Sequence, residues 1–241
     1  HGNDSLQEAL EISKLSVWIR SPREKVSLGD LSGNFTAADA LEGEISFETD
    51  SGRRGFGDFD LVVGNPPWGG TVSETAQSWL AQEFPAFDTT ELDSYELFTL
   101  VALRYLNDDG RLAFVLPKTL LREEHAAVRQ HLVETHTLER FHVLGANWFG
   151  DDVNMDSVVV QLHVDDAAPD HTFDSMTLVD DERREAIDGE IGLAQLEAAR
   201  AAEIPQTRCV EAGKIEPFRY ADDDAIIDQM EGVSVPLDTL C

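Results

Sequence analysis

The order of apolar runs in this 241-residue chain predicts a doubly wound α/β fold. Three observations carry that expectation. Short strand-like apolar runs alternate with helical segments of about 12 to 15 residues, the pattern of a mostly parallel sheet covered by helices. The run at 59–63 passes directly into a Gly/Pro turn, "GNPPWGG", as strands do at the ligand-binding edge of an open α/β sheet. The last two strand-like runs, "LERFHVLG" and "SVVVQLHV", have no helical segment between them, which predicts an antiparallel edge.

Taken in order, Asp4 or Ser5 can cap a helix running to about Arg20, with Leu6, Leu10, Leu15 and Trp18 near one face. A loop with Pro22 follows, then a strand-to-turn segment, "NFTAADAL", around Phe35. Phe59 to Val63 reads as a buried strand. Ser94 opens an amphipathic helix, "YELFTLVALRYL", which "NDDG" ends, and "RLAFVLP" is the next strand. A helix from about Arg122 to Glu134 precedes the closing strand pair. After about Asp165 the pattern changes to a weak strand, an Ala/Glu-rich helix near 185 to 203 and a loose tail. A domain boundary is placed there, giving 1–165 and 166–241. Ligands of such sheets gather at the carboxyl ends of the strands, where Asp39, Asn65 to Trp68, and Pro117 with Lys118 all fall.

Composition narrows the class. An apolar content of 42% excludes global disorder, and no apolar run reaches the roughly 20 residues of a membrane span. No basic-then-apolar leader opens the chain, so a cytoplasmic protein away from the membrane is expected. Cys209 and Cys241 are isolated, and the seven histidines form no ligand cluster, so no metal site is expected. The chain carries 47 acidic against 18 basic side chains, a formal charge of −29. The acids are spread along the whole length, and only Lys14, Lys25, Lys118 and Lys214 are lysines. This surface resembles that of proteins from salt-loving cells, where screening limits self-repulsion. Taken alone, such a charge opposes DNA binding.

Asn65-Pro66-Pro67-Trp68 is the sharpest signal, expected by chance in about one chain of this length in 500. Two prolines stiffen the backbone and remove two N–H donors, leaving carbonyls that point outward. A side-chain amide oxygen stands beside them, then a flat aromatic face. The group suits a planar ligand bearing an NH₂, with two acceptors for the amino hydrogens and one stacking surface. It equally suits a rigid turn whose Trp68 packs inward.

The neighbouring segments extend the pattern. "HGNDSLQEALEISKLSVWIRS", "NFTAADAL", "FDLVVGNPPWGG", "YELFTLVALRYLNDDGRLAFVLPKTLL" and "VLGANWFGDDVNMDSVVVQL" occur in that order over residues 1 to about 165. In this order and spacing the chain resembles the S-adenosylmethionine-dependent adenine-N6 DNA methyltransferases, and within them the type IIG restriction–modification and phage-defence methylases. The resemblance implies a Rossmann-like class I methyltransferase sheet whose first strand and helix, with the Gly-rich Phe-x-Gly-x-Gly cofactor loop, lie upstream of position 1. The chain is thus expected to be the middle of a longer protein, with 166–241 beginning a target-recognition region. It also implies that Asp4 contacts the ribose and Asp39 the adenine of S-adenosylmethionine. Asn65, Pro66, Pro67 and Trp68 would form the catalytic motif, with Asn65 also bordering the cofactor. Trp68 and Phe149 would stack on an adenine flipped out of double-stranded DNA. Asp4 lacks the Asn-Pro that usually follows the ribose-binding residue. Asn-Pro-Pro-aromatic also serves methyltransferases of protein glutamine and of guanine in ribosomal RNA. An inactive remnant or a non-catalytic subunit is the remaining alternative, and an attached endonuclease or recognition domain is the expected partner.

Overall fold

A computed structural model of the chain describes residues 1–20, 28–49, 52–148, 155–189 and 191–215. The protein is α/β with a mixed sheet of mostly parallel strands. It divides into two compact units, His1–Phe114 and Val115–Cys241.

The first unit opens with β1 (Gly2–Asp4), α1 (Gln7–Arg20) and β2 (Phe35–Ala37). β1 and β2 pair in parallel, and the Asn3 amide fastens the pair by donating to the carbonyls of Thr36 and Ala38. Helix α1 starts where expected, but its apolar residues do not form a buried face. Leu10 and Lys14 are buried, whereas Leu6, Leu15 and Trp18 are exposed, as are Ile12, Val17 and Ile19.

An antiparallel pair of β3 (Phe47–Thr49) and β4 (Gly52–Arg54) follows, with Arg53 and Arg54 on its second strand. Next come β5 (Phe59–Gly64), α2 (Glu74–Glu83), α3 (Ser94–Tyr105) and β6 (Leu106–Pro117), whose last residues belong to the second unit. β5 pairs in parallel with β6. It is less buried than its apolar sequence predicts: Phe59 and Val62 are half-buried, while Leu61 and Val63 are 56% and 66% exposed. Alternation sets Val62 against Leu61 and Val63, and the register shift between Phe59 and Leu61 lets Phe59 join Val62 on the core.

"NDDG" does not end α3 as a turn. Leu106 already pairs with Phe59, and pairing resumes at Arg111 with Leu61, so Asn107 to Gly110 form a bulge inside β6. Gly110 suits that bulge because a Cβ there would lie 2.8 Å from the Asn107 carbonyl. Helix α2 escapes the sequence reading entirely. Ser73 caps it by accepting from the Ala76 N–H, and Ala76 and Leu80, four residues apart, are fully buried. They meet Leu41, Ile45, Leu97, Val101 and Tyr105 in the core of this unit.

The second unit contains α4 (Ala126–Thr135), β7 (Thr137–Gly145), β8 (Ser157–His163), β9 (Thr172–Thr177), α5 (Asp180–Ile187), α6 (Leu193–Arg200), β10 (Ala202–Pro205) and α7 (Gln206–Ala212). β7 and β8 are antiparallel, as the missing connecting helix predicts. They are not the outer edge on that side, because β9 pairs with β7 in parallel and β10 then pairs with β9 antiparallel. Residues on either side of position 165 therefore share one ladder. The single helix expected near 185 to 203 is two, α5 and α6, separated at Gly189, whose φ of +76° suits glycine. The tail is ordered into β10 and α7 as far as the described residues extend, with Gln206 bonded to Leu138, Val133 and His136. Leu144, Met176, Leu178 and Leu196 form a core cluster here. No helix among the described residues is long and apolar enough to cross a membrane.

Candidate active site

The catalytic candidates lie in one loop at the carboxyl end of β5. Asn65 is exposed, Pro66 is buried, Pro67 is exposed and Trp68 is half-buried. Neither proline has an N–H, so these two residues offer the loop only carbonyls. Gly69 then takes φ +66°, a left-handed conformation that glycine adopts without strain and that turns the chain toward α3.

The first residues of α3 hold this loop. Asp93 is the N-cap: its side chain accepts from the Tyr95 N–H, while Glu96 accepts from the Asp93 N–H at 2.9 Å, completing a capping box. The same Asp93 Oδ1 also accepts from the Gly69 N–H at 2.9 Å. Ser94, 3% exposed, accepts from the Gly70 N–H at 2.9 Å and donates to the Pro67 carbonyl at 2.7 Å. Sequence reading finds Ser94 as a helix start but not this tie to the loop, because the partners lie 24 and 27 residues away. The Asp-Ser pair at a helix start is the local signal the sequence offers.

Asp4 and Asp39 stand at the carboxyl ends of the paired strands β1 and β2. The Ala38 N–H donates to the Asp4 carbonyl at 3.2 Å, linking the two strand ends. Each carboxylate stabilises its own turn through one oxygen: Asp4 Oδ1 accepts from the Leu6 N–H at 2.8 Å and Asp39 Oδ1 from the Leu41 N–H at 2.9 Å. Both side chains are exposed. The second oxygen of each is geometrically separate from the turn bond and can accept from a ligand hydroxyl or amino group. Ala38 and Ala40, on either side of Asp39, pack on the same core as Leu97 and Val101 of α3. Glu42 accepts from the Ser73 hydroxyl at 2.8 Å, joining the Asp39 turn to the start of α2. The Asp39 turn thus packs on the same core as α3, whose first residues hold the Asn-Pro-Pro-Trp loop. Phe149 lies outside the described residues. Lys118, at the end of β6, forms an ion pair with Asp156 at 3.2 Å. Tyr95 is 1% exposed and belongs to the interior.

Exposed carboxylates at the ends of the paired strands β1 and β2, and an Asn-Pro-Pro-Trp loop after β5 of the six-stranded sheet, are the arrangement expected of a methyltransferase. The Eco57I restriction-modification methylase model matches residues 1–149, and the chain belongs to that family. The chain is 26% identical over 106 residues to a Methanocaldococcus jannaschii protein described as a type II restriction enzyme and methyltransferase, a match covering 44% of this chain and 9% of that protein. Its fold is similar to that of the modification subunit of a type I restriction enzyme from Vibrio vulnificus YJ016, with a TM-score of 0.57 and 14% identity over 95% of this chain and 49% of that one. It is also similar to the type I restriction-modification methyltransferase subunit of Streptococcus thermophilus, with a TM-score of 0.53 and 18% identity over 78% of this chain and 42% of that one. The chain therefore spans about half the length, or much less, of these proteins.

Family membership implies S-adenosylmethionine as the cofactor. The donor set fits it: Asp4 and Asp39 place exposed carboxylate oxygens, acceptors for ribose hydroxyls and an adenine amino group, on neighbouring strand ends. When bound, the cofactor supplies an electrophilic methyl group.

Proposed function

We propose that the protein of which this chain is part is a site-specific DNA methyltransferase acting on the N6 amino group of adenine, within a restriction–modification or phage-defence system. The observation that carries the reading is the exposed Asn65 amide beside the Pro66 and Pro67 carbonyls, in a loop held at the carboxyl end of β5. The Asn65 side-chain oxygen and the Pro66 carbonyl accept the two hydrogens of the target amino group. Those bonds draw its nitrogen from planar toward tetrahedral geometry, so the lone pair becomes available for attack on the methyl carbon. The amino nitrogen would take the methyl group that bound S-adenosylmethionine would supply, leaving a neutral thioether, and would then lose one proton to solvent. Trp68 stacks on the extruded base, with Phe149 assigned to its other face. Asp4 and Asp39 hold the cofactor's ribose and adenine. Residues 166–241 begin the target-recognition region, and an endonuclease or recognition domain is the partner in the longer protein.

The acidity of this chain accords with DNA as substrate when the recognition region carries the phosphate contacts, since net charge describes the bulk surface and not a local groove. In the full-length protein, Asn65→Ala is expected to lower methyl transfer from labelled S-adenosylmethionine into DNA by at least about 10²-fold without unfolding the chain. Digestion of the product to nucleosides should return N6-methyladenine. Label in protein glutamine or ribosomal RNA guanine, or an active Asn65→Ala enzyme, would overturn the assignment.

A further inference from the structure

We infer that Asp93 and Ser94 are positioning residues for methyl transfer, and that Ser94 selects which backbone carbonyl of the Asn-Pro-Pro-Trp loop receives the substrate amine. The inference rests on the reading of Asn65 and Pro66 as the amine acceptors.

The loop has two consecutive proline carbonyls, and a donor amine needs only one of them beside Asn65. Which one is decided by α3. Ser94 Oγ lies 2.7 Å from the Pro67 carbonyl and 3.1 Å from Asp93 Oδ1, and a hydroxyl carries a single proton. The shorter contact marks Pro67 as its acceptor, which turns that carbonyl toward the helix. The same oxygen takes the Gly70 N–H, and Asp93 takes the Gly69 N–H. Three hydrogen bonds therefore fix the backbone on both sides of Trp68, at Pro67 before it and at Gly69 and Gly70 after it. The arch is close-fitting: a Cβ on Gly70 would lie 3.3 Å from Ser94 Oγ. Capping α3 requires none of these contacts, because Asp93 and Glu96 already form a complete capping box. The loop bonds are additional, and they reach 24 to 27 residues back along the chain.

Removing the Ser94 hydroxyl frees the Pro67 carbonyl and the Gly70 N–H together. The loop can then rotate so that Pro67 competes with Pro66 for the amine, misaligning the nitrogen with the methyl group. Misplacement of about 1 Å costs on the order of 10²-fold in rate. The effect belongs to the chemical step and not to the amount of folded enzyme.

The test is single-turnover methylation by the full-length protein, using labelled S-adenosylmethionine and DNA from a host lacking adenine methylation. For Ser94→Ala the rate constant should fall about 10- to 100-fold while the amplitude, which counts competent enzyme, stays that of the parent. Ser94→Thr, which keeps a hydroxyl, should recover most of the rate, and Asp93→Asn, which keeps an acceptor and a cap, should stay within a fewfold of the parent. An unchanged Ser94→Ala rate, or a loss confined to amplitude, would overturn the inference. Asn65→Ala run alongside separates the two claims: if it is inactive and Ser94→Ala is normal, only the positioning role fails. If Asn65→Ala is active, the functional assignment fails first.

Discussion

At the residue scale, the site is a set of backbone groups sorted by side chains. Prolines remove donors, Gly69 allows the turn, and Asp93 and Ser94 bind the remaining N–H groups, so that Asn65 is left as the exposed polar side chain of the motif. The histidines show the reverse economy. Burial holds His131, His136 and His142 below the usual imidazole range, and the Nε2 atoms of His136 and His142 are buried without a hydrogen-bond partner among the described residues. The nearby Glu134, Asp166, Glu197 and Asp174 oppose that shift, and the Arg140 charge adds to it at His142. A folded-state value below the unfolded one means that the unfolded chain binds more protons as acidity increases. The stability these residues confer is complete above the ordinary imidazole range and is lost as pH falls below it. Urea midpoints should therefore drop between pH 7.5 and about 5. The drop should be smaller in His142→Gln, a comparison that cancels the general relief of carboxylate repulsion.

At the element scale, α3 holds the loop and α2 packs with α3 in one core. Leu80 of α2 is fully buried among Leu41, Leu97 and Val101, so Leu80→Ala should cost about 2–5 kcal/mol in chemical denaturation. The sequence shows α3 and its start plainly, because Asp93, Ser94 and Glu96 are cap residues ahead of an apolar run. It hides α2, whose few apolar residues are surrounded by polar ones and become a face only when Ala76 and Leu80 meet the core. It also disguises the bulge in β6: Asn-Asp-Asp-Gly is turn chemistry locally, and only the pairing of Leu106 with Phe59 makes it part of a strand. The break between α5 and α6 is signalled by Gly189 but outweighed in the sequence by flanking Ala and Glu, which favour one continuous helix.

At the scale of the whole molecule, charge and exposed apolar surface are the dominant features. With a formal charge of −29 the folded chain repels itself at low ionic strength. We expect its thermal midpoint to rise by several degrees between dilute buffer and molar KCl, as screening shortens the reach of that repulsion. A midpoint unaffected by KCl would show that self-repulsion does not limit the stability of this fold. The exposed apolar residues at and beside α1 and in β5, Leu6, Leu15 and Trp18 with Leu61 and Val63, are the clearest departure from sequence expectation. Periodicity predicts that such residues are amphipathic in arrangement. It does not say whether anything covers them.

By itself the sequence determined the α/β class, the order of most elements, the antiparallel closing pair and the Asn-Pro-Pro-Trp loop. These depend on local properties: apolar periodicity, proline's fixed φ and missing N–H, and cap chemistry at helix starts. Only the tertiary structure decided that Ser94 occupies the Pro67 carbonyl, that Asp4 and Asp39 end adjacent parallel strands, and that β9 and β10 extend the ladder of β7. Each of these joins residues far apart in the chain. Their proximity is set by how the elements pack, and no window of sequence contains both partners.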